Sequence, residues 1–410
     1  MSDLQEQLAV LRRQVAKIDR KYSSFEKSHI EDWSSGQVIE TAHGRHFETE
    51  RLYESHRRHG SMDIGALAEL PENLLDPISG GEIAKSSPFE WAFLDTETTG
   101  LAGGAGTCAF LVGVGRITRE GFHVRQFFMR DYVEEASLLS ALADHLAQFS
   151  VLITYNGKTF DQPLLETRYR MARAKPPFAR LQHLDLLVGA RRLWKLRFES
   201  CRLVELENQI LGVERQGDLP GDMIPYVYFE YLRRREAFRL QPIFHHNALD
   251  ILTLACLAGI VPHAFHSPHA AAFSHGAEMA GLARWLRKTE QYEQALQLFR
   301  RAVDRNLPDE LLFRTLWDIA ALEKKLGRDA AALAVFTELA QCPNAFRIAA
   351  LEELAKHYEH AERNYAMALE FTRAALDLEE SDALRRRGER LERRVAGAKS
   401  VRLPGYVAKR

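Results

Sequence analysis

An apolar run ending in two carboxylates, residues 91–100, constrains this chain more than any other stretch: Trp91-Ala92-Phe93-Leu94-Asp95-Thr96-Glu97-Thr98-Thr99-Gly100. Its first half has strand character. Side chains two apart on a strand share a face, so Asp95 and Glu97 project the same way. Carboxylates that close resist joint ionisation unless a cation lies between them. Hard oxygen ligands on a short, rigid element suit magnesium or manganese. An isolated Asp-x-Glu is more often a solvated strand end, but the rest of this chain supplies further parts of a metal site in order.

The next cluster is Tyr155-Asn156-Gly157-Lys158-Thr159-Phe160-Asp161, where a strand ends, a polar turn follows and Asp161 opens a helix. Taken alone, Asp161 is explained by helix capping or by the helix dipole. The last cluster is His245-His246-Asn247-Ala248-Leu249-Asp250, and it places Asp250 on an apolar helix expected over residues 248–260 and ended by Pro262. A charge buried there without a partner is costly. A metal at the sheet removes that cost.

The order Asp-x-Glu, then Asn-x-x-x-Phe-Asp, then His-Asn-x-x-Asp resembles the DEDD 3′–5′ exonucleases of the ribonuclease H-like fold. Residues 93–104 and His183-Leu184-Asp185-Leu186-Leu187 are similar, more narrowly, to the bacterial YprB-type branch, which joins that domain to tetratricopeptide-like repeats. The resemblance implies that Asp95, Glu97, Asp161 and Asp250 hold two divalent ions, Mg2+ or Mn2+, with Asp95 bridging them. Two ions about 3.5–4 Å apart suit phosphodiester hydrolysis, activating water and neutralising charge at the leaving oxygen. For the general base, the histidine class of these enzymes implies His245, five residues before the last aspartate. The tyrosine class implies His246, four before it. His246 is preferred, since side chains at i and i+4 of a helix meet and would bring it to Asp250. A neutral-range histidine suits deprotonation of water, and a structural histidine is the alternative.

Other residues carry weaker signals. The loop 100–106 lacks dinucleotide-binding spacing and joins strand to strand. Asp185 is expected to be structural, and Lys158 to face solvent or a phosphate. Arg191, Arg192, Lys195, Arg197 and Arg202, interleaved with Trp194 and Phe198, form the best candidate face for a nucleic-acid strand, with Arg233–Arg235 second. A solvated or salt-bridged helix face explains them equally well.

Leu4, Leu8, Leu11, Val15, Ile18 and Tyr22 make a short heptad-like seam within an N-terminal lead-in, residues 1–87. Residues 88–265 read as successive strands followed by helix–strand–helix alternation, an α/β ribonuclease H-like mixed sheet flanked by helices. Beyond residue 270 the chain repeats itself. Ala295, Ala332 and Ala368 recur every 36–37 residues, each within an Ala-Leu pair, close to the tetratricopeptide period. An all-α tetratricopeptide-like repeat domain is therefore expected over 270–380. A basic tail, 381–410, follows, and an unrelated helical bundle is the alternative to the repeats.

A net charge of −1 excludes a uniformly basic nucleic-acid binder, so any phosphate-binding surface is local. The four cysteines are scattered, which argues against zinc ribbons and disulfide frameworks and fits a reducing cytoplasm. No export signal is read at the N-terminus. The longest apolar run, near residues 251–261, is too short for a bilayer, so no membrane partner is expected. The resemblance, with these features, implies a metal-dependent 3′–5′ exonuclease on single-stranded DNA or RNA ends, whose repeats recruit a protein partner or buttress the core. The rivals are a non-catalytic nucleic-acid-binding scaffold and an endonuclease using the same centre.

Overall fold

The computed structural model describes residues 30, 35–100, 106–271 and 273–400, with side chains to 397. The seam at residues 4–22 and the glycine loop at 101–105 lie outside the described residues. The chain divides into two compact units. One takes the chain up to Arg191 and again over Phe198–Ala271; the other takes Arg192–Arg197 and Ala272 onward.

The first unit is built on seven strands. These are β1 Gly36–Thr41, β2 Gly44–Glu54, β3 Trp91–Thr98, β4 Ala109–Ile117, β5 Gly121–Phe128, β6 Val151–Thr154 and β7 Gln182–Asp185. Their order across the sheet is β1-β2-β5-β4-β3-β6-β7. The pairings from β1 to β3 are antiparallel, and β3–β6 and β6–β7 are parallel. The mixed α/β sheet expected from the sequence is present. Strands β3 and β4 sit at its centre, which is why both read as nearly unbroken apolar runs.

Helices cover the sheet. These are α1 Glu135–Leu146, α2 Asp161–Met171, α4 Ile224–Arg234 and α5 Gln241–His266, while α3 Leu186–Trp194 follows β7 and is divided between the two units. Leu138 and Leu142 of α1 and Leu165 and Tyr169 of α2 share a core with Ala92, Leu94, Val112 and Phe127 of the sheet. In α4, Tyr228 stacks on Phe110 with ring centroids 3.8 Å apart. Helix α5 differs from the sequence expectation in length, since it runs through Pro262 instead of ending there. Proline forfeits one backbone hydrogen bond, but Val261, Pro262, Ala264 and Phe265 are all buried, so packing carries the helix past the gap. By length and composition the resulting helix could cross a membrane, unlike the short run read from sequence. Burial inside the unit accounts for its apolar character, because most of its residues face the sheet or neighbouring segments.

His145 on α1 is buried, with Phe127 and Phe149 rings 5.5 and 5.4 Å away and neither ring nitrogen hydrogen-bonded. Burial, then the charges of Arg125 and Arg116, push its pKa down to about 4. An unfolded histidine titrates near 6.5, so below that pH the unfolded chain takes up a proton that the folded chain refuses. His145 therefore makes a contribution to stability that is lost as pH falls from about 6.5 towards 4, about 3 kcal/mol from this group alone. His145→Phe is expected to flatten this loss, and urea denaturation of both proteins at pH 7 and pH 4.5 checks it.

The second unit is helical. Its helices are α6 Gly276–Lys288, α7 Tyr292–Val303, α8 Asp309–Lys325, α9 Asp329–Gln341, α10 Arg347–His360, α11 Tyr365–Leu376 and α12 Asp382–Ser400. Consecutive helices pack as pairs, and the repeated alanines Ala295, Ala332 and Ala368 are buried on α7, α9 and α11. Only a small side chain lets paired helices approach there. Gly327 turns the chain between α8 and α9 with a φ of +72°, a left-handed conformation that glycine adopts freely. In α12, Leu384 and Leu391 are buried and Arg390 pairs with Glu359 at 2.8 Å, so part of the basic tail is packed and neutralised.

Candidate active site

Asp95 and Glu97 lie on β3, the central strand, towards the end of its pairing with β4; the register shifts between Glu97 and Thr98. Asp161 is the first residue of α2 and Asp250 lies in α5. These four carboxylates, taken from three elements, are electrostatic neighbours. Burial first, then the charges of Asp250 and Asp161, hold the Asp95 pKa well above the usual carboxylate range. Glu97 is raised in the same way, by burial and then by Asp95, Asp250 and Asp161. Burial also raises Asp161, to about 6, and raises Asp250. Glu97 and Asp161 are 9% and 5% exposed, and Asp95 and Asp250 are half-buried, so the group is sheltered and still reachable.

Three of the four carboxylates have a dedicated partner. Asn247 Nδ2 donates to Asp95 Oδ2 at 2.9 Å, and Thr96 Oγ1 donates to Asp161 Oδ1 at 2.5 Å. Arg215 Nη2 stands 2.6 Å from Asp250 Oδ1 as an ion pair. The same guanidinium reaches Glu207 at 2.5 Å and Asp218 at 3.1 Å. Glu207 is wholly buried and also accepts from Thr253 at 2.7 Å, which anchors the arginine.

His246 is buried beside this group. Its Nδ1 lies 2.8 Å from Asp218 Oδ2 and its Nε2 3.6 Å from Asp250 Oδ2. Burial pulls the imidazole down, but the Asp218 hydrogen bond and the charges of Asp250 and Asp218 outweigh it and raise its pKa. His245 instead faces solvent, where Arg51 approaches its Nδ1 at 3.4 Å. It lines an open cleft of about 610 Å³ with Thr49, Gln126 and Arg215.

Among the described residues, no three acidic, imidazole or thiol groups are drawn together as tightly as a filled metal cage would hold them. The donor set does fit a divalent cation: hard oxygens, sheltered, mutually destabilised as anions, with Arg215 and His246 the nearby compensating groups.

The other residues singled out in the sequence separate from this group or serve it structurally. Asp185 accepts from the backbone N–H groups of Asn156 at 2.8 Å and Leu187 at 3.1 Å, tying the turn before α2 to β7. Trp194 is 4% exposed and thus closed to base stacking. Arg197 pairs with Glu278 at 2.6 Å, Arg233 and Arg234 pair with Glu230, and Arg235 pairs with Asp131. Sequence reasoning missed Arg215 and Asp218, which lie in an irregular segment, and Glu207, which lies in a helical turn. It quoted Asn247 without giving it a role.

Helix α5 can bring Asn247 to Asp95 only because β4 has no side chain at Gly113. A Cβ there would stand 2.2 Å from Asn247 Oδ1 and 2.3 Å from Ile251 Cδ1. Gly113→Ala is expected to destabilise the fold by about 1–3 kcal/mol through overpacking, measured as a lower urea midpoint.

A sheet in this order, with antiparallel strands on one side of β3 and parallel strands on the other, is a ribonuclease H-like fold. The family model described as the RNase_H superfamily matches residues 92–261, from β3 into α5. The chain is 32% identical over 357 residues, which cover 84% of it and 85% of the relative, to the uncharacterized protein YprB of Bacillus subtilis (strain 168). The chain belongs to the family of that protein, within the RNase_H superfamily.

Proposed function

We propose that this chain is a divalent-metal-dependent 3′–5′ exonuclease acting on single-stranded DNA or RNA ends. The observation that carries the proposal is that Thr96 ties Asp161 of α2, and Asn247 ties the helix of Asp250, to the strand that bears Asp95 and Glu97. Those four residues would hold two divalent ions, Mg2+ or Mn2+. When bound, such ions lower the pKa of water and neutralise charge at the scissile phosphate. Thr96 holds the Asp161 carboxylate, and Asn247 holds that of Asp95. His246 Nε2 is the proton acceptor. Its Nδ1–H donates to Asp218, which fixes the tautomer and stabilises the imidazolium once the proton arrives. Arg215 keeps Asp218 and Asp250 in place from a buried anchor.

The helical unit is proposed to be a tetratricopeptide-like domain that recruits a protein partner. Four free cysteines, three of them buried, support a reducing cytoplasmic setting. End-labelled linear and closed circular oligonucleotides, DNA and RNA, with Mn2+ and with chelator, test the proposal. Loss of label from linear 3′ ends, intact circles and silence in chelator are expected. Cutting of circles would make the enzyme an endonuclease, and no hydrolysis of any substrate would leave a binding scaffold.

A further inference from the structure

Four residues stand in one row across four strands. Thr49 of β2 is the register partner of Gln126 on β5, Gln126 of Gly113 on β4, and Gly113 of Asp95 on β3. Strands lie about 4.8 Å apart, so the row spans about 14 Å. Three of its members carry polar side chains, and the one gap is the glycine. Asn247 of α5 comes down over that gap.

Hydrogen bonds run along the row in a single sense. Thr49 Oγ1 donates to Gln126 Oε1 at 3.0 Å, Gln126 Nε2 donates to Asn247 Oδ1 at 2.8 Å, and Asn247 Nδ2 donates to Asp95 Oδ2 at 2.9 Å. The sense is fixed from outside the row. Gln126 Nε2 also meets the Phe244 carbonyl at 2.9 Å, and a carbonyl only accepts, so the amide cannot turn round. With Gln126 donating, Asn247 must offer its oxygen to Gln126 and its N–H to Asp95. Asn247 is fully buried, and Thr49 and Gln126 are nearly so at the edge of the cleft, so the bonds of the row are sheltered. A carboxylate that accepts a fixed N–H has one lone pair committed and the rest aimed elsewhere.

We propose that Thr49 and Gln126 are positioning residues of the metal centre, acting through Asn247 on Asp95, and that β2 is thereby a working part of the site. The inference rests on the proposed metal-binding role of Asp95. Strand β2 lies outside the matched family region, which begins at residue 92. Partners that orient a metal ligand typically cost 10–100-fold in metal affinity when lost. Gln126→Met removes the donor and lets the Asn247 amide rotate, while Thr49→Val removes only the far hydroxyl and Thr49→Ser restores it.

Calorimetric titration of the full chain with Mn2+ tests this, with denaturation in chelator as the companion measurement. Gln126→Met is expected to bind Mn2+ about 10–100-fold more weakly. Thr49→Val should fall about three- to tenfold, and Thr49→Ser should match the unaltered chain. A purely structural pair would lower stability in chelator and leave Mn2+ affinity unchanged in the folded protein, which would overturn the inference. If Gln126→Met does not fold, the contrast between Thr49→Val and Thr49→Ser decides. Asp95-dependent Mn2+ binding with unaffected variants refutes the row alone. An unaltered chain that binds no Mn2+ refutes the metal centre, and the row with it.

Discussion

Asp95→Asn is expected to abolish Mn2+-dependent hydrolysis, by about 10³-fold or more, and to make the metal-free protein more stable. The first effect follows because charge stabilisation by bound cations is worth several kcal/mol, and about 1.4 kcal/mol is tenfold in rate. The second follows from the sign of the carboxylate shifts. Burial lifts Asp161 to about 6, and lifts Asp95, Glu97 and Asp250 above their usual range. Between about pH 4 and 6 the folded Asp161 retains a proton that the unfolded chain has released, so its contribution to stability falls as pH rises through that window, opposite in sign to that of His145. For Asp161 alone the loss is about 3 kcal/mol. Neutralising Asp95 removes one of the charges responsible, so the urea midpoint at pH 7 in chelator should rise. In saturating Mn2+ the order should invert, because only the unaltered chain gains binding energy. A purely structural aspartate would instead lose stability in both conditions.

His246→Gln is expected to lower kcat by about 10²–10⁴-fold while Mn2+ affinity is retained. The imidazole is proposed as proton acceptor and not as ligand, so the two readouts should separate. His245→Gln should leave kcat nearly unchanged, because that ring points into the open cleft beside Arg51. Equal losses in the two variants, or a loss of Mn2+ affinity in His246→Gln, would contradict the assignment. The preference for His246 rests on the Asp218 contact at 2.8 Å, a partner invisible in the i, i+4 spacing that first suggested it.

What could be read from the sequence was what repeats or alternates. Strand β3 announces itself because its apolar run is buried on both faces, and the buried alanines of the helical unit recur because each helix pair needs a small residue at the same place. Asp95, Glu97, Asp161 and Asp250 were legible as positions because each sits at a strand end, a helix start or on an otherwise apolar helix. Their partners were not. Arg215 and Asp218 lie in an irregular segment, where no period marks which side chain turns inward. Gln126 and Thr49 sit within strands whose alternation gives the face but not the neighbour, since strand order decides that β2 adjoins β5. Pro262 misled as an end signal because the packing around it outweighs one lost hydrogen bond.

The central claim is that carboxylates from β3, α2 and α5 share one pair of cations. Crystals of the full chain grown with Mn2+ and measured at the manganese absorption edge test it most directly. Two anomalous peaks about 3.5–4 Å apart, each within about 2.3 Å of oxygens from Asp95, Glu97, Asp161 or Asp250, are predicted. No peak at those oxygens in a Mn2+-saturated crystal, or peaks only elsewhere, would contradict the account.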